Sequence, residues 1–84
     1  MFTGIVTAVG GIESVAQTEG GVRISVAATD LDLADGQIGE SIAVNGVCLT
    51  AIDISRTGFA ADVSQETLRC SAGFAAGARV NLER

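Results

Sequence analysis

The sequence predicts an all-β domain: a small antiparallel barrel of about six strands with one or two short helices. Three observations point there. Eleven glycines, singly or in pairs, separate short runs of β-branched and apolar residues. Their spacing is close to the roughly 8–12 residues typical of small barrels and sandwiches. Within the runs, apolar and polar residues alternate, as they do in half-buried strands. The chain is 84 residues long and 48% hydrophobic, enough for one folded domain spanning residues 1–84 and too much for a disordered segment.

Ile5 to Val9 reads as a first strand, and Ile12 to Ala16 continues it after a glycine kink or bulge. Val22, Ile24 and Val26 alternate with Arg23, Ser25 and Ala27, giving a second strand with one buried face. Thr29 to Gly36 reads as a capped helical turn closed by glycine. Ser41 to Asn45 and Val47 to Ile54 form two strands meeting at Asn45-Gly46, a tight-turn dipeptide. Gly58 to Val63 is another strand. Ser64 then caps a short helix that carries Glu66 in its first turn. Arg79 to Glu83 is the last strand, with Val80 and Leu82 on one face. Closing these strands into a barrel removes exposed sheet edges.

Composition excludes several function classes. Five Arg against ten acidic residues leave a net charge of −5, which repels a phosphate backbone and argues against nucleic acid and anionic membranes as partners. There is no His, so serine-histidine and cysteine-histidine relays cannot be built from these residues. There is no Lys for Schiff-base chemistry. Cys48 and Cys70 are too few and too far apart to make a zinc site, so no metal is expected. The apolar runs are too short to span a bilayer. MFTGIV lacks the form of a signal peptide. A cytoplasmic location with both cysteines as free thiols is therefore expected.

Three segments carry chemistry: Met1-Phe2-Thr3-Gly4-Ile5-Val6, the block from Gly39 to Thr50 (GESIAVNGVCLT), and the block from Asp62 to Arg69 (DVSQETLR). Each is weak alone. Together, in this order and at this spacing, they resemble the lumazine-binding repeat that forms the N-terminal half of the riboflavin synthases. The resemblance runs from Met1 to Glu83. It implies a six-stranded antiparallel Greek-key barrel. It also implies an activity: two molecules of 6,7-dimethyl-8-ribityllumazine exchange a four-carbon unit to give riboflavin and a pyrimidinedione, with no cofactor or metal. By the same resemblance Ser41, Cys48 and Phe2 are catalytic. In that family two repeats share a chain, and each catalytic site lies between the N-terminal repeat of one subunit and the C-terminal repeat of its neighbour. These 84 residues hold one repeat. They are therefore expected to bind lumazine, riboflavin or FMN with little or no turnover, as a homodimer or higher homo-oligomer.

A flat neutral heterocycle needs an apolar slot with a few placed hydrogen-bonding groups. Gly46, Val47, Ala60 and Val63 are candidates for the slot, and Thr50, Ser64 and Thr67 for hydroxyls. Backbone groups on 47–50 and 62–64 suit the pyrimidine edge, with Asp62 among them, and Glu66 suits the ribityl chain. Thr3, Gly4, Val6 and Cys48 complete the predicted ligand set. Simpler structural roles exist for several of these residues. Cys48 on a strand is ordinarily a small buried hydrophobe, Thr50 a β-former, and Ser64 and Glu66 a helix cap and its first-turn acid. Arg69 suits an ion pair, Phe2 a plug for the barrel end, and Phe59 and Phe74 the core. A flavin-storage protein and a ligand-free interaction module are the other functions to weigh.

Overall fold

A computed structural model describes residues 7–29, 31, 33, 35–69 and 74–84. Six strands make up most of it: β1 (Thr7–Thr18), β2 (Gly21–Ala27), β3 (Ser41–Val44), β4 (Val47–Ile54), β5 (Gly58–Ser64) and β6 (Arg79–Glu83). One helix, α1 (Gln65–Arg69), follows β5. All pairings are antiparallel, and the spatial order β1-β2-β5-β4-β3-β6 closes on itself. Three sequence-distant partnerships, β2 with β5, β3 with β6 and β1 with β6, make this a closed Greek key. The expected barrel and its six strands are therefore present. Ile5, at the start of the expected first strand, lies outside the described residues, as does Cys70.

β1 serves two partners. Its first half pairs with β6 and its second half with β2, and Glu13 is an extra residue between the Ile12↔Val26 and Ser14↔Ser25 pairs. This bulge turns the strand around the barrel. Gly10 makes the bend possible, because a Cβ there would lie 2.4 Å from the Ala27 carbonyl oxygen and 2.6 Å from Leu82 Cδ1.

Period-two alternation sends Val22, Ile24 and Val26, Ile42 and Val44, Leu49 and Ala51, Phe59, Ala61 and Val63, and Val80 and Leu82 inward. No polar or charged residue is buried among the described residues. Phe59 is core, and Phe74 packs half-buried against it.

The segment from Thr29 to Gly36 differs from expectation. Its described residues form no helix. They make turns closed by Leu31 N–H to Ala28 O and Gly36 N–H to Leu33 O. Leu31 and Leu33 are both buried, and two residues apart they cannot share one stripe of a short helix. Burial of this leucine pair in the core overrides the helix-start pattern of the aspartates.

Arg84 ties the next stretch down. Its guanidinium donates to Glu40 Oε1 at 3.0 Å, also bonds Glu40 Oε2, and meets Asp35 Oδ1 at 2.9 Å. These bonds hold the Glu40 and Asp35 carboxyls below their ordinary range and raise the guanidinium further above its own. A carboxylate depressed in the folded state stabilises the fold above its unfolded pKa and loses that contribution as pH falls through the folded value. Glu40→Gln is thus expected to be less stable than the parent at neutral pH, with the gap closing as pH drops below about 4. Urea midpoints measured from about pH 3 to 7 check this, and a gap independent of pH would refute the linkage.

Candidate functional site

The barrel interior is filled. Among the described residues, Ile24, Leu31, Ile42, Leu82, Val26, Val44 and Val63 are the largest fully buried side chains, and no polar group joins them. A heterocycle with hydrogen-bonding edges finds no polar partner among these described core residues, which makes the outer face the candidate location for a site.

The register assembles several predicted residues on that face. Ser41 stands opposite Thr50, and Ala43 opposite Cys48, with all four side chains pointing outward. Cys48 is an exposed free thiol, so the ordinary expectation of a buried small hydrophobe does not hold for it. On β5, Asp62 and Ser64 point outward and alternate with the buried Ala61 and Val63. Val63 therefore offers a ligand only its backbone. Val47 is half-buried against the core, and Gly46 sits exposed at the hairpin tip with φ 83°. Phe2, Thr3, Gly4 and Val6 lie outside the described residues.

The β4–β5 ladder stops inside this group. It runs from Ile54↔Phe59 and Asp53↔Ala60 to Ala51↔Ala61, with Ile52 as an extra residue on β4. Beyond Ala51, residues 47–50 pair with β3, and beyond Ala61, residues 62–64 pair with β2. Two strand edges thus face one another past the end of their ladder. The β4–β5 ladder leaves the alternate backbone N–H and C=O groups on these two edges unused. Such edges can read a planar amide-like ligand as they would read a strand.

Two contacts shape the rim. Arg23 lies opposite Asp62 and holds both carboxylate oxygens, Nε to Oδ1 at 2.8 Å and Nη2 to Oδ2 at 3.2 Å. This bond keeps the Asp62 carboxyl below its ordinary range. The pairing orients Asp62 beside Arg23, a partner 39 positions away that the sequence motifs do not mark. At the end of β5, Ser64 Oγ accepts from Thr67 N–H at 3.2 Å and donates to Thr67 Oγ1 at 3.0 Å. Ser64 is the N-cap the sequence predicts. Ser64→Ala is expected to cost about 1 kcal/mol by urea unfolding, while Ser64→Asp, which keeps an acceptor, restores most of it. Glu66 pairs with Arg69 at 3.2 Å on the exposed helix surface, as anticipated for Arg69.

A separate concavity of about 250 Å³ lies past the Ile52 bulge, where Glu13, Ser25, Asp53, Thr57 and Phe59 meet Ala60. Of the slot candidates only Ala60 reaches it. Among the described residues, no group of three or more His, Cys, Asp or Glu is placed to hold a metal. No helix among them is long and apolar enough to cross a membrane.

Residues 3–84 match the family described as the lumazine binding domain. Curated relatives named riboflavin synthase align with the whole chain. The protein from Photobacterium phosphoreum is 44% identical over 86 residues, covering 100% of this chain and 39% of that protein. The one from Bacillus subtilis is 38% identical over 86 residues, covering 100% and 40%. The one from Saccharomyces cerevisiae is 40% identical over 95 residues, covering 100% and 39%. The chain spans about 40% of the length of such relatives. With its closed barrel and with residues 3–84 matched, the chain belongs to the lumazine binding domain family.

Proposed function

We propose that this chain binds one molecule of 6,7-dimethyl-8-ribityllumazine, or the related riboflavin or FMN, on the outer face of β3, β4 and β5. The observation that carries the proposal is the end of the β4–β5 ladder beside Thr50, Asp62 and Ser64. In this reading the backbone edges of 47–50 and 62–64 take the pyrimidine edge of the ligand. Thr50, Ser64 and Thr67 supply hydroxyls, Glu66 bonds the ribityl chain, and Thr3, Gly4 and Val6 complete the site from the N-terminus.

Dismutation requires two lumazines stacked against each other. Ser41 and the exposed Cys48, with Phe2, are the groups we assign to proton and nucleophile chemistry in the riboflavin synthase reaction. One barrel offers one such pocket. The 84 residues alone therefore bind ligand with little or no turnover, and two copies meeting about a two-fold axis would stack two ligands. A reducing cytoplasm is the compartment in which Cys48 stays a thiol.

The test is a fluorescence titration with dimethylribityllumazine, riboflavin and FMN, followed by product analysis. Saturable binding without riboflavin formation is the expected result, with Thr50→Ala weakening it about tenfold. Riboflavin formation lost in both Ser41→Ala and Cys48→Ala would show that the self-associated barrels complete an active site. No binding of any of the three ligands at tens of micromolar would reject the proposal in favour of an interaction module.

A further inference from the structure

The β3–β4 turn joins a reactive dipeptide to the shortest strand pairing of the barrel. β3 and β6 share two strand pairs, Ala43↔Glu83 and Val44↔Leu82. Asn45 and Asn81 add a third rung of different construction. Asn45 N–H donates to the Asn81 carbonyl at 2.7 Å. The return bond, from Asn81 N–H, goes to the side-chain Oδ1 of Asn45, also at 2.7 Å. Asn45 has φ 51° and Gly46 φ 83°, so the chain is already turning back here. The side-chain amide stands in for the backbone carbonyl that a strand residue would present.

We propose that Asn45 is a spontaneous deamidation site whose rate is gated by the opening of the β3–β6 seam. The nucleophile is the deprotonated backbone nitrogen of Gly46, and the electrophile is Asn45 Cγ. The N–Cγ bond forms, the Cγ–Nδ2 bond breaks and ammonia leaves, giving a succinimide. Water then opens the ring at either carbonyl, leaving aspartate or isoaspartate at position 45. Gly46 offers no side chain to hinder attack, and the space around its missing Cβ is open. In the closed seam, Oδ1 is held on the Asn81 side and the left-handed turn fixes the backbone. Ring closure requires both restraints to be released.

The two products differ in effect. Aspartate keeps an acceptor for Asn81 N–H, so the rung survives. Isoaspartate inserts a backbone methylene just before Gly46, Val47 and Cys48, which breaks the rung and displaces the start of β4.

The experiment incubates the intact chain at mildly alkaline pH, in buffer and in urea, and follows the conversion at position 45 by peptide mass mapping and isoaspartate labelling. Hydrogen exchange at Asn81 N–H is read in parallel. Deamidation is expected to be slower in the folded chain by at least about tenfold, to accelerate in Val44→Ala, and to track Asn81 exchange. If Val44→Ala does not fold, urea below the unfolding midpoint opens the seam in the parent chain instead. Equal rates in the folded and unfolded chain would overturn the gating. No conversion at position 45 even in urea would remove the site.

Discussion

A single methyl group at Gly21 is expected to destabilise the barrel by about 2–3 kcal/mol or more. Gly21 opens β2 directly opposite Ser64. An alanine Cβ there would lie 1.9 Å from the Val63 carbonyl oxygen and 3.0 Å from Ser64 Cα. Both obstacles are backbone, so no rotamer change relieves them, and the strands must part at the rung that begins the β2–β5 ladder. The damage extends to the proposed site, because Ser64 caps α1 and Gln65 N–H bonds the neighbouring Gly20 carbonyl. Gly20→Ala is the control. Nothing lies within 4 Å of a Cβ at that position, and its change is expected to stay within about 0.5 kcal/mol. Urea unfolding of the three chains separates the cases, and thermal midpoints should fall by about 10–20 °C for Gly21→Ala. Equal midpoints for the two variants would mean that β2 and β5 yield at their ends more readily than the geometry indicates.

Gly21 also shows what the sequence reveals and what it conceals. Alternation along Val22, Ile24 and Val26 marks the inward face, because a strand side chain points to one side or the other every second residue. The Asn45-Gly46 turn, the Ser64 cap and the Glu66–Arg69 pair are equally legible, since each depends on residues at most three apart. Nothing local says which strand lies beside which. The Arg23–Asp62 pair spans 39 positions, the Asn45–Asn81 rung 36, and the Arg84–Glu40 pair 44. These contacts appear only once β2 is set against β5 and β6 against β3. The bulge at Ile52 is hidden for another reason, because one extra residue in an apolar run leaves its composition unchanged. Leu31 and Leu33 mislead because aspartates around them imitate a helix start while burial sets the conformation. Cys48 is the reverse case: its residue type favours burial, and only its register opposite Ala43 puts the thiol outside. The residues of the proposed site were therefore legible as a set of motifs, whereas the end of the β4–β5 ladder beside them required the ladder itself.

Leu82→Ala is expected to cost about 2–5 kcal/mol, the range for emptying a fully buried leucine site. Leu82 is 0% exposed and lies between Ala8 on β1 and Val44 on β3. It also fills the space that Gly10 leaves beside the β1 bend. A domain of 84 residues has a total stability of about 4–13 kcal/mol, so the loss is a large share of the whole. The β3–β6 seam is short, so little backbone pairing resists its opening once the side-chain contact is gone. Val9→Ala, on the outer face of the same β1–β6 pair, is the contrast, because Val9 is already 47% exposed and its truncation leaves no cavity. Leu82 is fully buried, away from the outer face of β3, β4 and β5 on which ligand binding is proposed, so if dimethylribityllumazine binds there as proposed, the folded fraction of Leu82→Ala should keep that affinity. Ligand at about one hundred times its Kd should then raise the stability of parent and variant alike by about 2.7 kcal/mol. Unfolding curves with and without ligand test both halves of the argument. A smaller ligand-induced gain in Leu82→Ala than in the parent would show that the seam and the binding face move together.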